Sequence, residues 1–425
     1  MGALLLFMFV FANQVIGGFN TKLPPPTYGN AITILNIDGG GIKGILPTVL
    51  LRNLEKALQN VSNDETAALA DYFDVITGTS TGGLIAAMLT TPHPNDPSRP
   101  LLSPEQIKQF YLDFGPSIFN QTAARKWSPI ISHFPKYDGK FLHEKAREIL
   151  QETRLSDTLT NVVIPAFDIL QVHPVIFSSF KVKKVPSLNA KLSDIAIGTS
   201  AAPTLLPAYN FTNGDNEFNL IDGALAASSP AFLAVNEVMQ ELEEKNYDFI
   251  PVNPNEPTKF VLLSLGCGRT GTPGHNTSVV NQYTATKWAP FLLSGLLEAA
   301  RDIVEYNLES IFPSLQSSEN YYLRIEEYSL DQTLTADNAT IENMEKLIKA
   351  GEDLLEQRVK ILNVTSFTHH EKPSELDTNA EALQGLAEIL YKEQQLRLKT
   401  KSIMEKRGRP FVDAITSPLR MFGME

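Results

Sequence analysis

Apolar and polar residues alternate along this chain in two rhythms, one of short β-branched runs and one of helical spacing. "AITILNI" (31–37) is a short β-branched run of strand length, the kind buried on both faces of a sheet. Past "DGGGIKG", the segment "ILPTVLLRNLEKALQN" sets Leu50, Leu51, Leu54 and Leu58 at helical spacing, with Pro47 tolerated in the first turn. The unit reads as strand, tight glycine loop, helix. It recurs in "YFDVITGTSTGGLIAAML" (72–89), where a short strand-like run meets a glycine-flanked serine and an apolar helix. "NVVIPAFDI", "PVIFSSF", "EFNLIDGA" and "KFVLLSLGCG" supply further strands, separated by helical patterns such as 231–245. Beyond about Thr284 the pattern is largely helical, with "YYLRIEE" as one late strand. Strands alternating with helices predict an α/β fold with a mostly parallel central sheet covered on both faces.

The chain's 425 residues, 43% of them hydrophobic, suffice for one large domain without internal repeats. We place a catalytic domain over 30–400, a proline-rich extended lead-in over 19–29 and a basic tail over 401–425. A net charge of −12 excludes nucleic acid as a partner, because phosphate binding needs a cationic surface, and it opposes an anionic bilayer. Cys267 is the single cysteine, so no intrachain disulfide forms and no cysteine-based zinc site is expected.

At the N-terminus "ALLLFMFVFA" has the length of a signal-peptide core and is shorter than the roughly 20 residues of a membrane span. Residues 1–18 therefore read as a secretory leader. The alternative is a hydrophobic arm, since no Lys or Arg precedes the run and "VIGG" is a poor cleavage site. Sequons begin at Asn60, Asn120, Asn210, Asn276, Asn338 and Asn363 and favour the secretory route, with the vacuole, the extracellular space and the cytosol all left open.

Gly78-Thr79-Ser80-Thr81-Gly82 matches G-x-S-x-G, in which a strained strand-to-helix turn exposes a serine hydroxyl and aims a helix N-terminus at the reaction centre. A serine nucleophile needs an oxyanion site and a base. Gly39, Gly40 and Gly41 are candidates for the first, as consecutive glycines free backbone amides to converge. Lys43 stands either as a source of positive potential or as a solvated loop residue. For the base, Asp222 follows a strand in "FNLIDGA" and would project toward the same rim as Ser80, while His275 and the His369/His370 pair also follow it in the chain. "GGGIKG" also satisfies a dinucleotide fingerprint, but Asp64 and Glu65 lie in a polar turn where that motif needs a second strand.

Taken in order, "DGGGIKG", "GTSTGG" and "DGA" resemble the patatin family of plant lipid acyl hydrolases. The resemblance extends through "LADYFDVITGTSTGG", "KYDGKFL", "PVIFSS", "GTSAAPTLLPAY", "FNLIDGA" and "LLSLG", covering about 28–399. It implies a three-layer α/β/α fold akin to the cytosolic phospholipase A2 catalytic domain and a Ser-Asp dyad without histidine. Ser80 would be the nucleophile, Asp222 its base, Gly39–Gly41 the oxyanion hole and Gly78 and Gly82 the elbow. It implies fatty acid release from phospholipids and galactolipids, transient contact with a membrane surface, and neither metal nor cofactor. A storage protein with incidental esterase activity is the alternative. Lys43 stands where the family often has arginine, and Cys267 where threonine is frequent; Cys267 is expected to be a small core residue. Chemistry adds one requirement: a carboxylate of ordinary pKa, about 3.9, is a poor base for serine, so Asp222 is expected to be desolvated and bonded to Ser80 Oγ.

Overall fold

The computed structural model describes residues 23–120, 135–250, 259–270, 274–315, 320–372 and 377–406. The leader at 1–18 and the tail beyond Lys406 lie outside them. Strands are β1 Ala31–Ile37, β2 Val75–Gly78, β3 Pro92–His93, β4 Asp96–Pro100, β5 Asn161–Asp168, β6 His173–Ser178, β7 Tyr209–Asn213, β8 Asn216–Ile221, β9 Lys259–Leu265, β10 Tyr321–Ile325, β11 Lys360–Asn363 and β12 Thr368–Glu371. Helices are α1 Ile45–Ser62, α2 Thr81–Thr90, α3 Pro104–Ile118, α4 Lys140–Leu150, α5 Leu192–Thr199, α6 Ala224–Ala227, α7 Ala231–Glu243, α8 Thr277–Val280, α9 Ala285–Ile311, α10 Ile341–Glu356 and α11 Asn379–Lys406.

The main sheet runs β10-β9-β1-β2-β5-β8-β7, with β6 also on β5. From β10 through β5 every neighbour is parallel. On the far side, β6 and β8 run antiparallel to β5, and β7 to β8. The mostly parallel expectation holds, with one correction: no helix separates β5 from β6 or β7 from β8. Four residues between β5 and β6 can close only a hairpin, because a parallel crossover needs a dozen or more.

Alternation along the central strands builds the three layers. Ile32 and Ile34 of β1 and Phe260 and Leu262 of β9 pack with Ala231, Ala234, Val235 and Val238 of α7 and Leu308 of α9. Leu35, Ile37, Val261, Leu263 and Leu265 face the opposite way, into the larger core with α1, α2, α10 and α11. Both faces of the sheet are thus covered, so its strands read as continuous apolar runs.

The chain ends of the fold are tied together by charge. Arg397 of α11 is fully buried, donating to Asp74 Oδ1 at 2.6 Å, Glu393 Oε1 at 2.8 Å and the Pro24 carbonyl at 3.0 Å. Arg397, a few residues before the basic tail, is thus a core residue. In its described part the lead-in is likewise no extended arm. Pro26–Tyr28 form a 3₁₀ turn, and Thr27 bonds to the carbonyls of Asp248 and Ile250. Among the described residues no helix is long and apolar enough to cross a membrane.

Candidate active site

β2 ends at Gly78 and α2 starts at Thr81, which leaves two residues for the turn. Ser80 takes φ 55° and ψ −129°, a conformation that side-chain-bearing residues avoid, and this strain lifts its hydroxyl out of the turn. The flanking glycines are steric necessities. A Cβ on Gly78 would lie 2.2 Å from the Gly82 carbonyl oxygen, and one on Gly82 would lie 2.2 Å from that of Ile37. Thr199 braces the turn, its Oγ1 accepting from the Ser80 amide at 3.0 Å and donating to the Pro165 carbonyl at 2.7 Å.

Ser80 Oγ donates to Asp222 Oδ2 at 2.7 Å. Asp222 follows β8, and its other oxygen accepts from the Ala224 amide at 2.8 Å. Both side chains are buried, Ser80 8% and Asp222 4% exposed. Burial pushes the Asp222 carboxyl up to about 6, and the Ser80 and Ala224 hydrogen bonds only partly offset it. The structure therefore brings together two groups 142 residues apart in the chain. It does not bring the histidines there: among the described residues no imidazole lines the cavity above Ser80. His275 packs edge-on against Tyr283 and Phe291, and His369 bonds to Glu305 at 3.0 Å.

Gly39, Gly40 and Gly41 line the same cavity. Their amides differ. The Gly39 amide donates to the Ser228 carbonyl at 3.5 Å, a long bond, and the Gly40 amide to Thr81 Oγ1 at 3.3 Å. The amides of Gly41 and of Thr81, the residue after the serine, have no acceptor among the described residues. Gly41 has φ +61°, and a Cβ there would lie 2.1 Å from the Ala336 carbonyl oxygen. Lys43 is buried, not solvated: its Nζ donates to the Gly268 carbonyl at 2.9 Å.

The residues that hold this loop were not singled out in sequence. Asp38, fully buried, receives Arg324 Nη2 at 2.7 Å and Asn36 Nδ2 at 2.9 Å. Burial opposes its charge, but Arg324 and Arg301 outweigh that and hold its carboxyl below the usual range. Arg301 of α9 donates to the Gly39 carbonyl at 2.8 Å. Cys267 donates its thiol to the Asp38 carbonyl at 3.0 Å and is fully buried, as expected of a core residue.

The cavity measures about 410 Å³, and its wall is mainly apolar, with Leu84, Phe110, Phe119, Leu142 and Leu206 prominent. A depression of about 450 Å³ at the opposite end of β1 and β9 is lined by Asn30, Lys259 and Glu393 and, among the described residues, by no serine, threonine or cysteine. An elbow serine against a desolvated carboxylate, below a greasy chamber with free amides, is equipped for acyl transfer from an apolar ester.

A family model described as patatin-like phospholipase matches residues 35–235, from β1 into α7, and so spans the glycine loop, Ser80 and Asp222. Over 398 residues the chain is 45% identical to patatin-like protein 2 of Arabidopsis thaliana, covering 89% of this chain and 95% of that protein. The chain belongs to the patatin-like phospholipase family. Patatin-like protein 4 of Arabidopsis thaliana is 43% identical, over 88% of this chain and 96% of that protein. Patatin-13 of Solanum tuberosum is 40% identical, over 87% and 92%. Family membership agrees with the three-layer fold, and the coarse activity that goes with it is lipid hydrolysis. The dinucleotide reading of "GGGIKG" has no support in the fold: Asp64 sits in the turn after α1, accepting from Thr66, with no strand there.

Proposed function

We propose that the protein is a serine lipid acyl hydrolase that releases fatty acids from phospholipids and galactolipids through a Ser80–Asp222 dyad. The observation carrying the proposal is the 2.7 Å hydrogen bond from Ser80 Oγ to Asp222 Oδ2 on the floor of an apolar cavity. As Oγ attacks the ester carbonyl, its proton passes to Asp222. The carbonyl oxygen gains negative charge and is received by amides of the Gly39–Gly41 loop and of Thr81; each such donor is worth about 10²–10³ in turnover. Collapse expels the alcohol, which takes the proton from Asp222, and leaves an acyl group on Ser80. Water then gives a proton to Asp222 and attacks the acyl-enzyme; collapse frees the fatty acid, and Ser80 Oγ takes that proton back from Asp222 as it leaves.

A carboxyl titrating at about 6 is ionised at neutral pH yet is far more basic than an exposed one, which suits this task. Ester alkoxides need less help in leaving than amines, so esters are the substrate class. The route follows the same reasoning: the apolar run at the N-terminus and exposed sequon asparagines at 60, 120, 210, 276 and 363 support passage through the secretory pathway to the vacuole or cell exterior.

Two measurements test the chemistry. Ser80→Ala and Asp222→Ala should each abolish p-nitrophenol release from medium-chain esters while the circular dichroism spectrum is unchanged, and a fluorophosphonate probe should map to Ser80. Turnover retained in Asp222→Ala but lost in His275→Ala would replace the dyad by a histidine mechanism.

A further inference from the structure

The catalytic cavity has a wall whose outer face is apolar. α9 presents Ser294, Leu297, Glu298 and Arg301 to the cavity. At about 100° of turn per residue, Leu292, Leu296, Ala299 and Ile303 fall on the opposite side of that helix. Leu292 is 58%, Leu296 52% and Ile303 52% exposed, and the stripe carries no charge. A second apolar element stands on the same rim. β5 runs parallel to β2 with Val163 beside Thr77, so the level of Ser80 corresponds to Ala166. The β5–β6 turn lies three to six residues further on, roughly 10–20 Å at strand rise. Its Ile169, Leu170 and Val172 are 47%, 68% and 73% exposed. α6 joins the two, packing on both β5 and α9, and its exposed Leu225 also lines the cavity.

Scattered exposed leucines need no explanation, whereas an apolar collar continuous with a cavity mouth does. We propose that the outer stripe of α9 and the β5–β6 turn form the surface by which the enzyme settles on a bilayer of net-neutral headgroups, an inference that rests on the lipid hydrolase reading of the cavity. The occupant follows from charge and continuity. A chain of net charge −12 with an uncharged docking stripe gains nothing from anionic lipid and is repelled by it. The cavity beneath takes one acyl ester at a time, and a lipid leaving a neutral bilayer would pass from one apolar surface directly to another.

The full chain tests this with two independent readouts. Binding is read on Ser80→Ala by flotation with phosphatidylcholine vesicles, alone or mixed with phosphatidylglycerol, at low salt. Turnover is read with Ser80 intact on vesicle lipid and on soluble p-nitrophenyl butyrate. Leu170→Ser/Leu292→Ser/Leu296→Ser should weaken flotation and slow vesicle hydrolysis roughly tenfold or more, with soluble-ester turnover within about twofold. Phosphatidylglycerol should reduce binding of the parent. If the triple variant melts early, Leu170→Ser and Leu296→Ser singly give the same comparison. Unchanged flotation of the variant, tighter binding to anionic vesicles, or a parent dimer that the variant dissolves without any vesicle effect would overturn the proposal. Failure to cleave the soluble ester would instead strike the hydrolase reading, and flotation of Ser80→Ala would still report on docking.

Discussion

The Arg301 guanidinium donates to the Gly39 carbonyl across 2.8 Å, joining the helix that walls the cavity to the loop that carries its candidate oxyanion donors. Arg324 grips the preceding residue through the Asp38 carboxylate, and Lys43 ties the far end of the loop to Gly268. Three cations thus orient a backbone whose glycines supply no side-chain packing of their own. Across a trans peptide the Gly39 carbonyl points opposite to the Gly40 amide, so holding the carbonyl also sets the direction of that amide at the cavity wall.

Arg301→Met is therefore expected to lower kcat roughly tenfold or more on soluble esters, with a smaller change in KM, since mispointed amides fail mainly in the transition state. Arg301→Lys should recover only part of the loss, lacking the planar fork. Steady-state kinetics decide the matter. A proportional rise in KM with kcat intact would show that Arg301 serves substrate binding instead.

Catalysis should follow the ionised fraction of Asp222. With its carboxyl at about 6, kcat/KM on a neutral ester should fall about tenfold per pH unit below that value and show no histidine-dependent limb. A midpoint near 4 would mean that Asp222 is solvated in solution.

The same shift has a cost in stability. Between pH 3.8 and about 6 the folded state keeps a proton that the unfolded chain releases, so stability falls as pH rises through that window. Asp222→Asn removes the penalty. It should inactivate the enzyme and yet stabilise it at neutral pH by up to roughly 3 kcal/mol, the gain shrinking as pH drops toward 3.8. Urea denaturation at both ends of the window reads the difference.

Arg397→Met strands Asp74 and Glu393 as buried carboxylates without their counter-charge. Breaking such a cluster costs about 3–5 kcal/mol, and a lowered denaturation midpoint is expected, with the kcat of the folded fraction preserved.

Cys267 should resist thiol reagents in the native protein. It is fully buried, and burial together with the Asp38 and Glu326 charges pushes the thiol up to about 12. Full reaction with Ellman's reagent should appear only in denaturant; native labelling would mean that the glycine loop opens.

Local patterns carried much of the architecture. The apolar runs at 31–37 and 75–78, each followed by glycines and a helix, are visible because a buried strand and an amphipathic helix each satisfy their backbone locally and display their period in the residues themselves. The elbow was legible for the same reason, since only glycine fits at 78 and 82. The β5–β6 hairpin was missed, because the sequence reading put helices between its strands, although a four-residue link is too short for any parallel crossover. The partners of the loop were not legible either. Arg301 and Arg324 lie 262 and 286 residues from Gly39 and Asp38, and no period links such pairs. Nor could spacing separate Asp222 from the histidines as candidate base, or a buried Lys43 and Arg397 from solvated ones. Those outcomes depend on which charges the folded sheet and helices enclose together, and enclosure, by removing water, decides both where a cation must find a partner and how tightly Asp222 holds its proton.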